Sequence, residues 1–237
     1  IIAAGGPEYE SAPVDPADGT SGGVPGGNIR NAFLYNPERE TLTEVKSLTP
    51  AELGAAGVGD PAAFTDTRNP LLGRFEYRGR EIIIINNHLS SRSGSSPIFG
   101  GPQPFFQAAE DAREAQTLAL NQYVNNLIDT EDARNIIVHG DLNTFEFTND
   151  LREILPGTGP DRILFNLVRT LRDDNVYSFI FDGNSQELDH MFVTKSLLED
   201  AKFDIVHVNT DFPNIDDTVG SDHEPLVGSF EFKHKGR

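Results

Sequence analysis

The 237-residue sequence has no cysteine, no tryptophan and a single methionine, and it is poor in positive charge. The absence of cysteine excludes disulfide bonds and thiolate chemistry, but a domain of this size can be secreted without disulfides. No apolar run approaches the roughly 18 residues of a membrane span, and residues 1–4 are too short for a signal peptide. The sequence therefore predicts a soluble chain with no membrane span.

The charge balance is strongly acidic, with 19 Lys and Arg against 37 Asp and Glu and a net charge of −18. Such a chain repels a polyanion at long range, so a nucleic-acid substrate requires a metal ion as counter-charge. A saline habitat produces the same acidity. The length suits one domain, which we expect to be a monomer.

Turn-forming residues divide the chain into two parts. Residues 1–27 are dense in Gly and Pro and are predicted to be an irregular segment of the same domain whose regular part is 28–237. Residues 38–66 are predicted to be loop with a short helical turn after Thr49, and 90–104 a long surface loop.

Apolar periodicity predicts the regular elements of the remaining chain. Two hairpins are expected, one from 71–77 and 81–87 and one from 177–181 and 188–193. Further strands are predicted at 29–35, 136–138, 203–208 and 226–232, and helices at 106–129 and 148–155. Hairpins interrupted by one long helix favour an α/β fold with a mixed sheet or two packed sheets and helices outside.

The most informative stretch is the β-branched run 136–138, which ends at Gly140 and is followed by Asp141 and Asn143. A carboxylate and an amide at the carboxyl end of a strand lie where open α/β sheets place ligands. Both can supply oxygen to a hard cation or orient a phosphate. Taken alone, the pattern is more simply interpreted as an ordinary Asp/Asn turn.

Three other predicted strands carry polar residues at an end. Burying so many ionisable groups is costly without partners or a metal, so their joint presence favours an active site. The four motifs are Asn86-Asn87-His88, Gly140-Asp141-Leu142-Asn143, Leu188-Asp189-His190 and Ser221-Asp222-His223-Glu224-Pro225.

In this order the motifs resemble the endonuclease/exonuclease/phosphatase superfamily, over about residues 22 to 232. Gly26–Arg30, Phe33–Tyr35 and Gln116 are most similar to its bacterial extracellular nuclease branch. The resemblance implies a DNase I-like four-layer α/β sandwich, in which two packed mixed β-sheets are flanked by helices. It also implies Mg²⁺-dependent (or Mn²⁺- or Ca²⁺-dependent) hydrolysis of phosphodiesters in DNA, with RNA a further candidate, by a secreted or cell-surface nuclease.

The resemblance also implies a role for each site residue. His223 becomes the base that activates water and Asp189 its orienting carboxylate, much as in a catalytic triad. His88 stabilises the phosphoryl oxygens or protonates the leaving group, and Asp141 and Asn143 position water, metal or phosphate. Asp222 becomes a metal ligand, and Asn86, Arg30 and Arg68 are candidate phosphate contacts, although a solvated or salt-bridged arginine is the simpler interpretation.

One element of the family pattern has no counterpart in this sequence. Family members open with a strand that ends in a metal-binding Glu, and residues 1–27 predict no such strand, so neither Glu8 nor Glu10 is assigned. We therefore expect the N-terminal strand to be missing: either the chain is a fragment or its metal site is incomplete. Two alternatives stay open: a phosphatase or phospholipase-type phosphodiesterase on a small or lipid phosphate ester, and a degenerate binding module without catalysis.

Overall fold

The computed structural model describes residues 5–22, 29–97, 99–172, 176–210 and 220–232. Within these ranges the helices are α1 Pro50–Ala55, α2 Glu110–Glu131 and α3 Lys195–Leu198, with single π- or 3-10 turns at Asp150–Ile154, Gly159–Asp161 and Leu167–Thr170. The strands are β1 Glu10–Pro13, β2 Ala32–Tyr35, β3 Thr41–Ser47, β4 Leu71–Tyr77, β5 Arg80–His88, β6 Ile136–Asp141, β7 Leu164–Asn166, β8 Phe179–Phe181, β9 Asn184–Gln186, β10 Asp189–Thr194, β11 Lys202–Ile205 and β12 Leu226–Ser229.

A six-stranded mixed sheet in the order β3-β4-β5-β6-β10-β7 forms the centre of the fold. Strands β5 and β6 are parallel, and their other neighbours are antiparallel. The isoleucine run of β5 is apolar towards both faces of the sheet, as expected for a central strand.

Helix α2 covers one face of this sheet. Its Leu120, Val124 and Leu127 pack in one cluster with Ile83 and Ile85 of β5. The helix begins after Ala109, whose φ of 55° is left-handed, and Glu110 and Asp111 in its first turn favour the positive end of the helix dipole. The predicted start at residue 106 was four residues early, because a left-handed residue cannot continue an α-helix.

Two short strand pairs cover the opposite face. Phe33 of the β1–β2 pair packs with Leu71 and Phe75 of β4. Phe203 and Leu226 of the β11–β12 pair belong to a second apolar cluster, which includes side chains of β6 and β10. The predicted α/β fold class is thus confirmed, with a mixed central sheet. In the part of the chain described here, the second β layer consists of these pairs, not one continuous sheet.

Several predicted elements differ in the structure. Residues 41–47 form β3 where a loop was predicted, because a bulge between Leu42 and Glu44 interrupts the two-residue alternation. Residues 10–13 form a four-residue strand inside the segment predicted to be irregular, and 164–166 add β7 where no element was predicted. The motif residues Gly26, Gly27 and Asn28 lie outside the described ranges.

The second predicted hairpin was wrong in its pairing. Asp182 and Gly183, with φ of 50° and 76°, turn the chain from β8 into β9. Strand β10 instead lies between β6 and β7 in the central sheet. None of the helices in the described ranges is long and apolar enough to cross a membrane.

Candidate active site

The register of three neighbouring strands brings three predicted site residues into one row. His88 of β5 is paired with Asp141 of β6, and Asp141 is paired with Asp189 of β10. Directly paired residues point to the same face of a sheet. The row therefore lies at the carboxyl ends of β5 and β6, where the sequence predicted it.

Gly140 allows the strands to approach closely beside this row. Its φ is 124°, and a Cβ atom there would lie 2.1 Å from the carbonyl oxygen of Asn87. A Cβ atom at position 140 would overlap the backbone of Asn87, and β6 would have to move away from β5 to relieve the clash. The glycine is therefore a requirement of the site geometry.

His223 and Asp189 form a tight pair at one end of the row. His223 Nδ1 lies 2.6 Å from Asp189 Oδ2, and Ser178 Oγ donates to the same oxygen at 2.7 Å. Ser178 Oγ in turn accepts from the backbone N–H groups of Leu188 and Asp189. Burial lowers the pKa of His223, but the hydrogen bond and charge of Asp189, followed by the charges of Asp141 and Asp222, raise it to about 9.

Glu224 anchors the segment that carries His223 to residues 208–210. The buried carboxylate of Glu224 accepts from the backbone N–H groups of Val208, Asn209 and Thr210 at 2.8, 2.8 and 2.7 Å. Its own N–H donates to the Ser178 carbonyl at 2.7 Å. Burial raises the pKa of Glu224, but the hydrogen bond from the Thr210 hydroxyl, followed by those from the three backbone N–H groups, outweighs it, so the net shift is downward.

His88 and Asp141 form a looser pair in the middle of the row. Their Nε2 and Oδ2 atoms are 3.3 Å apart. Asn143, in a left-handed conformation with φ of 53°, donates its backbone N–H to Asp141 Oδ1 at 2.9 Å and its side-chain amide to Oδ2 at 3.1 Å. Asp141 and Asn143 thus form one unit, as the motif predicted.

The imidazole of this second pair has its pKa shifted in the opposite direction to that of His223. Burial, then the charges of Arg68 and His223, lower the pKa of His88 to about 4. Burial and the charge of Asp189 raise the pKa of Asp141 to about 6. At neutral pH His88 is therefore a neutral imidazole beside a carboxylate.

The three candidate phosphate contacts differ in their placement. Arg68 adjoins the row, and it donates to the carbonyls of His88 and Leu89 at 3.2 and 2.9 Å. Asn86 donates to the Ala32 carbonyl at 3.3 Å, and Arg30 is paired with Asp15 at 2.8 Å. Arg30 and Arg68 both line a cavity of about 290 Å³ beside the site.

The predicted metal ligands come together only in part. Asp141 and Asn143 are adjacent, whereas Asp222 is exposed on the segment before His223. Within the described ranges, no three His, Asp or Glu side chains are grouped so that they could hold a metal ion. Asp141 and Asn143 supply hard oxygen donors of the kind that Mg²⁺ takes, but these residues alone do not complete its ligand set.

Three residues that support the site had no functional role in the sequence motifs, although two of them, His190 and Glu224, belong to those motifs. Ser178 and Glu224 fix Asp189 and His223, and His190 supports the other side of the site: its Nε2 lies 2.9 Å from the carbonyl oxygen of Thr144, the residue after Asn143. His190 is fully buried, with Nδ1 3.0 Å from Glu187 Oε1. The adjacent position of Glu224 and His223 was the one available signal, since nothing local shows that a distant Ser or Thr will be a partner.

Comparison with known proteins identifies the family of this chain. The Endonuclease/Exonuclease/phosphatase family matches the sequence over residues 27–216. No curated protein matches it. The chain belongs to the Endonuclease/Exonuclease/phosphatase family.

Solved structures share the fold at low sequence identity. An endonuclease/exonuclease/phosphatase from Bacteroides vulgatus is 16% identical, with a TM-score of 0.61 over 98% of this chain and 79% of that chain. A mannosyl-6-phosphatase from Bacteroides thetaiotaomicron is 17% identical, with a TM-score of 0.60 over 95% and 78%. TDP2 from D. rerio, complexed with a single-strand DNA product, is 13% identical, with a TM-score of 0.59 over 94% and 77%.

Proposed function

We propose that this protein is a divalent-metal-dependent phosphodiester hydrolase that acts as a nuclease on DNA, with RNA as a further candidate substrate. Members of the family hydrolyse phosphodiesters or other phosphate esters. The observation that carries the proposal is the His223–Asp189 pair, joined at 2.6 Å, next to the His88–Asp141 pair in one row. A base with an orienting carboxylate beside a neutral hydrogen-bond donor is what in-line attack by water on a phosphate ester requires.

In this proposal His223 takes the proton of the attacking water. Its Nδ1 is held by Asp189, so Nε2 is the nitrogen that accepts the proton. Because the pKa of His223 is about 9, the imidazole must first lose a proton, and the fraction of active base rises as the pH approaches and passes that value. Asp189 fixes the ring and stabilises the imidazolium that forms.

His88 faces the developing charge of the phosphoryl group. With a pKa of about 4, it is neutral at pH 7 and keeps one N–H to donate. A neutral imidazole is a weak acid but an effective hydrogen-bond donor, which favours stabilisation of the phosphoryl oxygens over protonation of the leaving group. Asn143 and Arg68 border the same space and are proposed to orient the phosphate.

Enzymes of this family generally use divalent metals, and we propose Mg²⁺, with Mn²⁺ or Ca²⁺ as substitutes. Burial of Asp141 beside the charge of Asp189 raises the pKa of Asp141, and a cation at this point would relieve that repulsion. The described residues alone do not complete a ligand set for this ion. The net charge of −18 gives a second reason for a cation when the substrate is a polyanion.

A second candidate is a phosphatase that acts on a sugar phosphate. One structural neighbour is a mannosyl-6-phosphatase with a TM-score of 0.60, and the row of residues described above serves a monoester as well as a diester. The DNA product held by D. rerio TDP2 supports the nucleic-acid substrate for a chain of the same fold. We retain the nuclease as the primary proposal.

We also propose that the protein is secreted or lies at the cell surface, as its resemblance to the bacterial extracellular branch supports. A single domain of this length is further proposed to be a monomer. Cell fractionation and light scattering of the purified chain test them.

One substrate panel tests the activity. Plasmid DNA, single-stranded RNA, a mannose phosphate and sphingomyelin are each incubated with the protein in Mg²⁺ and again in EDTA. The proposal expects DNA cleavage in Mg²⁺ and none in EDTA. Cleavage of the monoester alone would establish the phosphatase, and inactivity on all four substrates would favour a binding module.

A further inference from the structure

A row of aromatic rings leads outward from the candidate catalytic histidine. The ring of Phe179 is stacked on the imidazole of His223, with centroids 4.7 Å apart and planes at 29°. The ring of Phe181 is stacked beside Phe179 in turn, with centroids 6.2 Å apart and planes at 12°. The three rings form one nearly parallel series that begins at the reacting group.

The backbone holds this series rigidly. Phe179 and Phe181 are two residues apart on β8 and so point to the same face, and β8 pairs with β9 on one side. On its other side Phe179 forms a β-bridge with His223. The backbone link from Glu224 N–H to the Ser178 carbonyl reinforces that side.

The outer end of the series is open to solvent. Phe181 is 57% exposed, so much of its ring surface is open to a ligand. Its neighbours across the turn are polar, with Asn184 paired opposite Phe181 and Asp182 at the tip. The end of this aromatic series is rimmed by polar groups. It therefore suits a flat ligand with a polar edge better than a partner with an extended apolar surface.

We propose that Phe181, backed by Phe179, is the stacking platform for a nucleobase of the substrate strand near the scissile phosphate. This inference rests on the proposed nuclease function and names the part of the substrate that this side of the site binds. A base stacks on an aromatic face regardless of its sequence identity, and such contacts contribute affinity without positive charge. That contribution matters here, since the net charge of −18 repels the phosphate backbone.

Position and charge favour a base over a membrane as the occupant. A ring stacked in series with His223 keeps its ligand beside the reacting phosphate, whereas an inserting loop carries its apolar residues at the tip. The tip of this hairpin is Asp182-Gly183, and an acidic tip on an acidic protein is repelled by an anionic lipid surface. The platform therefore implies a preference for single-stranded or locally unpaired nucleic acid, whose bases are free to stack.

Fluorescence of a base analogue tests the platform directly. The probe is a short single-stranded DNA with phosphorothioate linkages that resist hydrolysis and 2-aminopurine in each position in turn, titrated with the full chain in Mg²⁺. The chain has no tryptophan, so the signal comes from the probe. We compare wild type with Phe181→Leu, which removes the ring, Phe181→Tyr, which keeps it, and Phe106→Leu, a matched control at a ring that is 65% exposed outside the series.

The proposal expects quenching at one position of the probe, weakened by Phe181→Leu with a rise in Kd of about fivefold to a hundredfold. Phe181→Tyr and Phe106→Leu should bind within about twofold of wild type. Equal quenching by wild type and Phe181→Leu would overturn the inference, as would the absence of binding. Capture of anionic vesicles by wild type but not by Phe181→Leu would overturn it in favour of a membrane role.

A parallel assay separates this inference from the proposed function. The wild type is given the same DNA with ordinary phosphodiesters in Mg²⁺, and also a copy that is abasic at the position where quenching was found. Quenching without hydrolysis would reject the nuclease and leave the base site standing. Hydrolysis of both copies at equal rates, unaffected by Phe181→Leu, would support the nuclease and reject the platform.

Discussion

The two imidazole–carboxylate pairs of the site contain the same chemical groups in opposite states. His223 and Asp189 are 2.6 Å apart and the pKa of the imidazole is about 9. His88 and Asp141 are 3.3 Å apart and the pKa of that imidazole is about 4. Burial lowers the pKa of both histidines, so burial alone does not distinguish them.

The difference lies in what else the carboxylates and the rings meet. Asp189 is committed to His223 and is braced by Ser178, whereas both oxygens of Asp141 accept from Asn143. His88 also lies near the positive charges of Arg68 and His223. The contacts around each pair therefore make one imidazole a base and the other a neutral hydrogen-bond donor. This is typical of active sites in which similar groups take different roles.

The largest expected effect is the loss of the base. His223→Ala should lower kcat/KM by about a hundredfold to ten-thousandfold, since it removes the proton acceptor and little packing. Steady-state hydrolysis and circular dichroism melting of wild type and variant measure this. Turnover near that of wild type would reject the role of His223, and a collapsed melting transition would make the loss structural.

Asp189→Asn should be milder, with a loss near the lower end of the range given for His223→Ala, because the base itself remains while its charge partner is lost. The pKa of His223 should fall from about 9 towards its ordinary value, so the rising part of the pH–rate profile should move to lower pH. A profile that is unchanged across pH would contradict the pairing.

Asp141→Asn should weaken Mg²⁺ binding by about tenfold, since one anionic oxygen ligand becomes a neutral amide. Calorimetric titration of Mg²⁺ at fixed salt measures the affinity. Asp204→Asn, which makes the same charge change at an exposed position of β11, is the control and should leave the affinity unchanged. Equal affinities for wild type and Asp141→Asn would remove Asp141 from the proposed ligand set.

Arg68→Met should raise the pKa of His88 from about 4, because a nearby positive charge is removed. Arg68→Lys keeps the charge and should leave the pKa of His88 low. Titration of the imidazole by nuclear magnetic resonance distinguishes the two. An unchanged pKa in the methionine variant would leave burial and the charge of His223 as the causes.

The smallest expected effect is on stability. The folded pKa of His223 is raised above its unfolded value near 6.5, so the protonated pair stabilises the fold fully below about pH 6.5, and this contribution is lost as pH rises towards 9. With solvent screening considered, the free energy of unfolding should fall by less than about 2 kcal/mol over that range. Urea unfolding at intervals between pH 6 and 10 tests this, and Asp189→Asn should show a smaller decline. A stability that rises with pH only in wild type would contradict the sign.

Local pattern was sufficient for the strands that end at the site. The apolar runs before Asn86 and Gly140 predicted β5 and β6, and their ends predicted where His88 and Asp141 lie. Local pattern failed where a distant partner decides the structure. Strand β3 is bent by a bulge against β4, and β10 leaves its expected hairpin because β6 and β7 offer it two partners.

Residue types and their order along the chain determined the chemistry of this protein: which strand ends carry acids, amides and imidazoles, and which family these motifs belong to. Tertiary structure alone decided how those groups act together. His223 and Asp189 are 34 positions apart, and the bracing by Ser178 and Glu224 and the aromatic series that ends at Phe181 arise only when β8, β10 and the segment 220–224 come together. The physical reason is that a pKa or a stacking contact depends on atoms within a few ångströms in space, and separation along the chain does not specify that distance.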